Sequence, residues 1–204
     1  GTKNDPDSGY RSRFSHQTEE AHPGYYKLKL EDENVLAELT TTERVGFHKY
    51  TFPKTDSAHI ILDLNSGIYN YDGKVVWSSI RVENDTLVTG YRQTNGWART
   101  RLLYFAMTFS KQIESYGLVN KEELIYKGFW RKFNQNRNFP EQAGHEIVSY
   151  FNFKTEDGEA ILIKFALSAV STNNAIENLI AEIPHWDFEK VKTSAKQKWN
   201  DELS

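Results

Sequence analysis

The chain has 204 residues, 38% of them hydrophobic, a net charge of −3 and no cysteine. That length suits one large domain or two small ones and can bury a core without covalent staples. The composition excludes a mainly disordered chain, a disulfide framework and a thiolate metal site, and the lack of a basic stripe argues against nucleic acid as a partner. No apolar run approaches a membrane span. The absence of cysteine fits an oxidising compartment without requiring one. No signal peptide opens the chain, so an exported protein would have lost its address or carried it upstream.

In chain order, residues 1–22 read as a polar loop. "NDPDSG" invites a calcium site, but Pro6 falls where an EF-type loop needs its second oxygen ligand. Strands begin at Pro23. Tyr26, Leu28 and Leu30 share a face, and Val35, Ala37 and Leu39 continue the period of two. "RVGFHKYTF" (44–52) follows and ends at Pro53, and "HIILDL" (59–64) reads as a short apolar strand that could be central. Hairpins are expected at Asp72-Gly73, Asn84-Asp85 and Asp157-Gly158, where positive φ is tolerated. "RTRLLYFAMTF" (99–109) and "YKGFWRKF" (126–133) add strands. About ten short strands joined in this way make an antiparallel β-sandwich the natural fold for residues 23–171.

The period then changes. Ile176, Leu179, Ile180 and Ile183 form a helical stripe, with Asn174 and Glu177 spaced as an N-terminal cap, and Pro184 ends it. Asp187 can cap a second helix with Phe188, Val191, Ala195, Trp199 and Leu203 on one face. Residues 172–204 are therefore read as two C-terminal helices.

Candidate chemistry is sparse. A glycosidase needs two carboxylates facing across a sugar, yet most acids lie in turns or on helix exteriors. Asp63 interrupts an apolar strand, and a structural, hydrogen-bonded role is favoured over a catalytic one. His16, His22, His48, His59, His145 and His185 are not paired at metal-ligand spacing, so no metal site is expected. Asn84-Asp85-Thr86 has the form of a glycosylation sequon but reads as a turn. The stretch "TGYRQTNGWARTRLLYF" (89–105) is the best candidate for binding. Its Arg92, Asn95 and Trp97 combine planar hydrogen-bonding groups with a flat aromatic face, as sugar sites do. A glycine-permitted bend whose tryptophan plugs the sandwich edge is the competing reading.

Residues 23–53, "HIILDLNSGIYNYDG" (59–73) and "TGYRQTNGWARTRLLYFAMTFSK" (89–111) resemble glycoside hydrolase family 92, as does "IPHWDFEKVKTSAKQKWNDEL" near the C-terminus. This family comprises bacterial, chiefly exo-acting α-mannosidases. The resemblance implies a mutarotase-like β-sandwich, a helical linker and an (α/α)6 barrel, with the mannoside and a calcium ion between them and hydrolysis with inversion. It also implies that segments before Gly1 and after Ser204 would supply the catalytic acid, the base and the calcium ligands, so no family catalytic residue maps onto this chain. The expected role is a non-catalytic domain of a periplasmic or extracellular α-mannosidase. It would need no cofactor of its own, and its partners would be the barrel and α-mannoside glycans. A free-standing carbohydrate-binding module is the alternative. Strands missing upstream would also leave a sheet edge open to self-association.

Overall fold

Period-two alternation becomes antiparallel ladders in the computed structural model, which describes residues 9–67, 71–121 and 140–204. The strands are β1 (Glu20–His22), β2 (Tyr25–Leu30), β3 (Val35–Thr41), β4 (Val45–Phe52), β5 (Thr55–Asp63), β6 (Val75–Val82), β7 (Leu87–Thr94), β8 (Arg101–Phe109), β9 (Ser115–Asn120), β10 (Glu141–Gly144), β11 (Ile147–Thr155) and β12 (Glu159–Ser168). Helices α1 (Thr172–Glu182) and α2 (Phe188–Leu203) follow. The large sheet has nine strands in the order β1-β2-β3-β4-β12-β8-β7-β6-β10, and the small sheet has three in the order β5-β11-β9. The fold is an antiparallel β-sandwich with two C-terminal helices. The strand expected at 126–133 lies outside the described residues.

The β2–β3 register pairs Tyr26 with Leu39, Leu28 with Ala37 and Leu30 with Val35, the face that the alternation defines. β1 adds a short strand within the stretch read as a polar loop. Between the sheets, Phe105, Met107, Phe109, Ile161 and Ile163 meet Phe151, Phe153 and Leu118 in one core. Phe109 lies 5.3 Å from both Phe151 and Phe153, ring centre to ring centre.

Two expected features differ. The Asp157-Gly158 turn joins no hairpin, because β11 belongs to the small sheet and β12 to the large one, where it inserts between β4 and β8. Gly158 does take the positive φ of 74°. The β4–β5 connection crosses between the sheets beside it, tied by the Thr155 hydroxyl donating to the Pro53 carbonyl at 2.8 Å. β5 is also not central: among the described residues it pairs only with β11. The β6–β7 hairpin forms as expected, with the Asn84 side chain accepting from Thr86 N and Leu87 N. At Asp72-Gly73 the turn is present, with Gly73 at φ 79°, but the arm before it falls partly outside the described residues.

The outer face of the large sheet carries the helices. Val45, Phe47, Ala106 and Ala166 pack against Ala175, Leu179, Ile183, Phe188 and Val191. α1 is capped by Ser171, whose hydroxyl accepts from Asn174 N, and not by Asn174 itself. Its buried side comprises Ala175 and Leu179, while Ile180 points outward. Asp187 caps α2 as expected, but the buried stripe ends at Ala195, and Trp199 and Leu203 are exposed. Polar side chains fasten this layer. Lys164 Nζ donates to the Ile183 carbonyl at 2.9 Å and lies 4.0 Å from the Trp186 ring centre. Burial alone would raise the Glu38 carboxyl, but hydrogen bonds from Lys49 and Tyr25 hold it below its ordinary value. Glu182 is likewise lowered against its burial by bonds from Thr42 and Arg44.

Glu182, which ties α1 to the β3–β4 turn, predicts an acid-sensitive attachment of the helices, and Glu38 an acid-sensitive sheet beneath them. Their folded values lie below the ordinary 4.5, so their stabilisation is complete above that pH and is lost as pH falls through the folded values. Thermal melts from about pH 6 to about pH 3 should show a shallower fall in Tm for Glu182→Gln than for the unmodified chain. Equal slopes would remove Glu182 from this role.

Candidate functional site

Arg92, Asn95 and Trp97 occupy the end of β7 and the loop to β8. Asn95 builds the loop: its N–H donates to the Lys74 carbonyl at 2.8 Å, and its carbonyl accepts from the Tyr71 hydroxyl at 2.7 Å. Its side-chain oxygen accepts from Gly96 N. This scaffold projects Trp97 outward, and the indole is fully exposed. Trp97 therefore does not plug the sandwich edge.

Arg92 points the other way, between the sheets. Its Nη2 donates to the Asn65 carbonyl at 3.3 Å, and its buried Nε has no partner among the described residues. Burial pulls the guanidinium below its ordinary pKa, and the charge of Asp63 opposes that shift. Asp63 accepts from Asn65 N at 2.8 Å and Ser66 N at 3.0 Å, which closes the turn after β5. So Asp63 and Arg92 brace one connection from its two sides. The guanidinium and the indole are not brought onto a common surface, and the Asn95 amide oxygen is spent on the loop itself.

The glycine-permitted bend expected in this stretch does not include Gly90, which sits inside β7 opposite Ile80 and Phe105. A Cβ there would lie 2.2 Å from the Ser79 carbonyl oxygen and 2.6 Å from the Phe105 ring. The glycine is needed for close approach, not for a turn. Sequence reasoning had no local signal for this, because the ring that covers Gly90 comes from the next strand.

Among the described residues, two of the concave regions lie elsewhere. One, of about 570 Å³, runs beside β5 over Gly46, His48, Tyr50, Ile163 and Phe165. The other, of about 350 Å³, lies between the β3–β4 turn and α2 and includes Glu182, His185 and Lys190. The spacing of the histidines gave no hint of either, since both depend on how sheets and helices stack. Among the described residues no group of three His, Asp or Glu side chains could hold a metal ion. The buried or near-buried carboxylates of Glu38 and Glu182 are committed to bonds beneath the helices. Neither faces a second acid across an open cleft.

The described residues form a two-sheet antiparallel sandwich with two helices on the outer face of its large sheet. The same architecture covers the whole chain in a family GH92 α-mannosidase from Bacteroides thetaiotaomicron, at a TM-score of 0.86 and 35% identity. A second protein of that organism, described as a family GH92 inverting mannosidase, matches 93% of the chain at a TM-score of 0.75 and 26% identity. An uncharacterized secreted glycosidase of Arthroderma benhamiae is 26% identical over 201 residues, 90% of the chain. The chain spans only about a quarter of these relatives, 26%, 23% and 24% of their respective lengths. Residues 1–168 match the glycosyl hydrolase family 92 N-terminal domain, and the chain belongs to that family. No helix among the described residues is long and apolar enough to cross a membrane.

Proposed function

We propose that this chain is the non-catalytic N-terminal domain of a calcium-dependent, inverting exo-α-mannosidase that acts on mannose-containing glycans in the periplasm or outside the cell. The observation that carries this reading is the whole-chain match to an α-mannosidase about four times as long, joined to the lack of an opposed acid pair among the described residues. In this reading the sandwich forms one wall of a mannose cleft. The acid, the base and the calcium ion belong to an (α/α)6 barrel elsewhere in the longer protein. Among the described residues no three acidic or histidine side chains gather where they could hold a metal ion, so no step is assigned to calcium on this chain.

Inversion places the two catalytic carboxyl groups far enough apart to admit a water molecule, at about 6.5–9.5 Å. Trp97, exposed at one end of the sandwich, is the residue of this chain assigned to sugar contact, since a flat indole face stacks on a pyranose. Arg92 braces that end from within, and Asn95 builds the loop that carries the indole. Trp97 and Asn95 are exposed and Arg92 is half-buried, an arrangement that favours a contact at the rim of a larger cleft over the complete site of a free-standing sugar-binding module.

The test uses a longer family protein that carries this chain. Proton NMR of the first product should show β-mannose, and chelation of calcium should abolish turnover. Trp97→Ala should raise KM several-fold and leave the product anomer unchanged. Release of α-mannose first, or full activity after chelation, would overturn the mechanism assigned to the parent enzyme.

A further inference from the structure

The loop that presents Trp97 carries an unbalanced charge. The segments that build it, 71–75 and 92–101, contain Lys74, Arg92, Arg99 and Arg101 but only one acid, Asp72, in a chain whose net charge is −3. Arg92 turns inward, where the charge of Asp63 acts on it. Lys74 lies 5.8 Å from the centre of the Tyr71 ring. Arg99 and Arg101 are exposed. Elsewhere Arg13, Arg44 and Arg81 meet carboxylates at 2.6, 2.5 and 3.2 Å. Neither Arg99 nor Arg101 meets one among the described residues.

These two guanidiniums belong to the same loop as the exposed indole. Arg101 opens β8 opposite Thr94, so that pair closes the loop, and Trp97 and Arg99 lie within it. Two residues of chain span at most about 7 Å, so the backbones of Arg99 and Trp97 lie within that distance and those of Arg101 and Trp97 within about 14 Å. The loop is also fixed before any ligand arrives, because both backbone groups of Asn95 are bonded, one to Lys74 and one to Tyr71. A ready-made loop spends little on ordering when it binds. A guanidinium fork suits a carboxylate or a phosphate, each of which accepts two parallel N–H bonds. A neutral hydroxyl gives it no such match. A nucleic acid would need a longer basic stripe than two arginines supply.

We propose that this loop selects mannosides in which the sugar next to the mannose carries a negative charge, a uronate carboxylate or a phosphate monoester. The indole of Trp97 stacks on a ring of the glycan, and Arg99 and Arg101 clasp the anionic group. This deepens the reading of Trp97 as a sugar contact and rests on it for the place of the loop at the cleft. Both guanidiniums are exposed, so salt screens their attraction and the selectivity is strongest at low ionic strength.

Three disaccharides read the proposal: mannose α-linked to glucose, to glucuronic acid and to glucose 6-phosphate, all through one (1→2), (1→3) or (1→4) linkage. NMR titration of residues 1–204 follows the Trp97 indole N–H. One exposed ion pair gives up to about a fivefold gain, so with two arginines an acidic disaccharide should bind about fivefold or more tightly than the neutral one at low salt. A gain with glucuronate alone would name the carboxylate as the natural group, and a gain with the phosphate alone the phosphate. In about 1 M sodium chloride, where the screening length falls to about 3 Å, the three should bind alike. Arg99→Gln combined with Arg101→Gln should bring the three to one affinity at low salt and keep the wild-type melting temperature. Trp97→Ala should weaken all three. In a longer family protein carrying this chain, the same order should appear in kcat/KM, and the ratio of acidic to neutral substrate should fall to about one in the double variant.

Equal affinity for the neutral and acidic disaccharides at low salt would overturn the proposal. So would a gain that survives in the double variant. A lower melting temperature of that variant, in residues 1–204 or in the longer protein, would show that a carboxylate of the protein itself holds these arginines, and would overturn it as well. Binding to phosphatidylglycerol vesicles without any response to the disaccharides would assign the loop to a lipid surface instead. Binding by residues 1–204 depends neither on the anomer released nor on calcium. A charge preference without turnover in the longer protein would leave the proposal standing and remove the enzymatic reading, and turnover without a charge preference would do the reverse.

Discussion

Gly90→Ala should destabilise the chain by about 3 kcal/mol, through overpacking of a site with no room for a methyl group. The new Cβ would sit 2.2 Å from the Ser79 carbonyl oxygen and within 2.8 Å of two Phe105 ring atoms. The carbonyl belongs to the neighbouring strand and cannot retreat without parting β6 from β7. Nor is the Phe105 ring free to move, because it stacks on Phe165 with centroids 5.3 Å apart. In urea the unfolding midpoint should fall with the m-value unchanged. Gly158→Ala is the matched control. It has open space around it but a positive φ of 74°, so it should cost only about 1 kcal/mol, from backbone strain. A midpoint for Gly90→Ala equal to or above that of Gly158→Ala would mean that Phe105 does not lie over β7.

Phe47→Ala should cost about 3–4 kcal/mol, the ordinary price of removing a large buried ring. Phe47 is fully buried on the outer face of the large sheet and lies 5.4 Å from Phe188 and 6.1 Å from Trp186. Its loss empties the centre of the layer that holds α2 and the α1–α2 connection to the strands. The helices have few other large anchors, since α2 buries only Phe188, Val191 and Ala195. Trp186 fluorescence should therefore change at lower urea than circular dichroism of the strands, as the helical layer loosens first. Coincident transitions at the wild-type midpoint would show that the helices are held by something other than this cluster.

Much of the fold was legible because its strands alternate. The pairing of Tyr26, Leu28 and Leu30 with Leu39, Ala37 and Val35 follows from a period of two and a short turn. The Asn84 turn follows from side-chain chemistry that acts within four residues. What was not legible depends on distant chain. Gly158 has the same left-handed backbone whether its flanking strands pair or part, so local chemistry cannot separate a hairpin from a corner between sheets. The separation is made by Phe151 and Phe153 facing Ile161 and Ile163 across the core from different sheets. Ile180 fits the helical stripe by spacing but points outward, because the sheet beneath α1 is met by Ala175 and Leu179.

The binding stretch divided in the same way. Its composition identified a loop with an exposed aromatic ring, and Trp97 is fully exposed. Composition could not reveal that Arg92, two residues after the glycine that Phe105 covers, faces the interior. Strand alternation through Gly90 and Val88 would have placed it there, had the strand been carried as far as Thr94. Asp63 shows the converse case. An acid closing an apolar strand invites a catalytic reading, yet the two N–H groups that follow it in the turn are sufficient to explain its presence.

Turnover by the isolated chain decides most directly whether this domain carries chemistry or only shapes a cleft. Purified residues 1–204, assayed on α-linked mannobiosides with calcium present, should release no mannose above the buffer blank. Robust, saturable release of mannose by this chain alone would contradict a supporting role and require an acid pair within it.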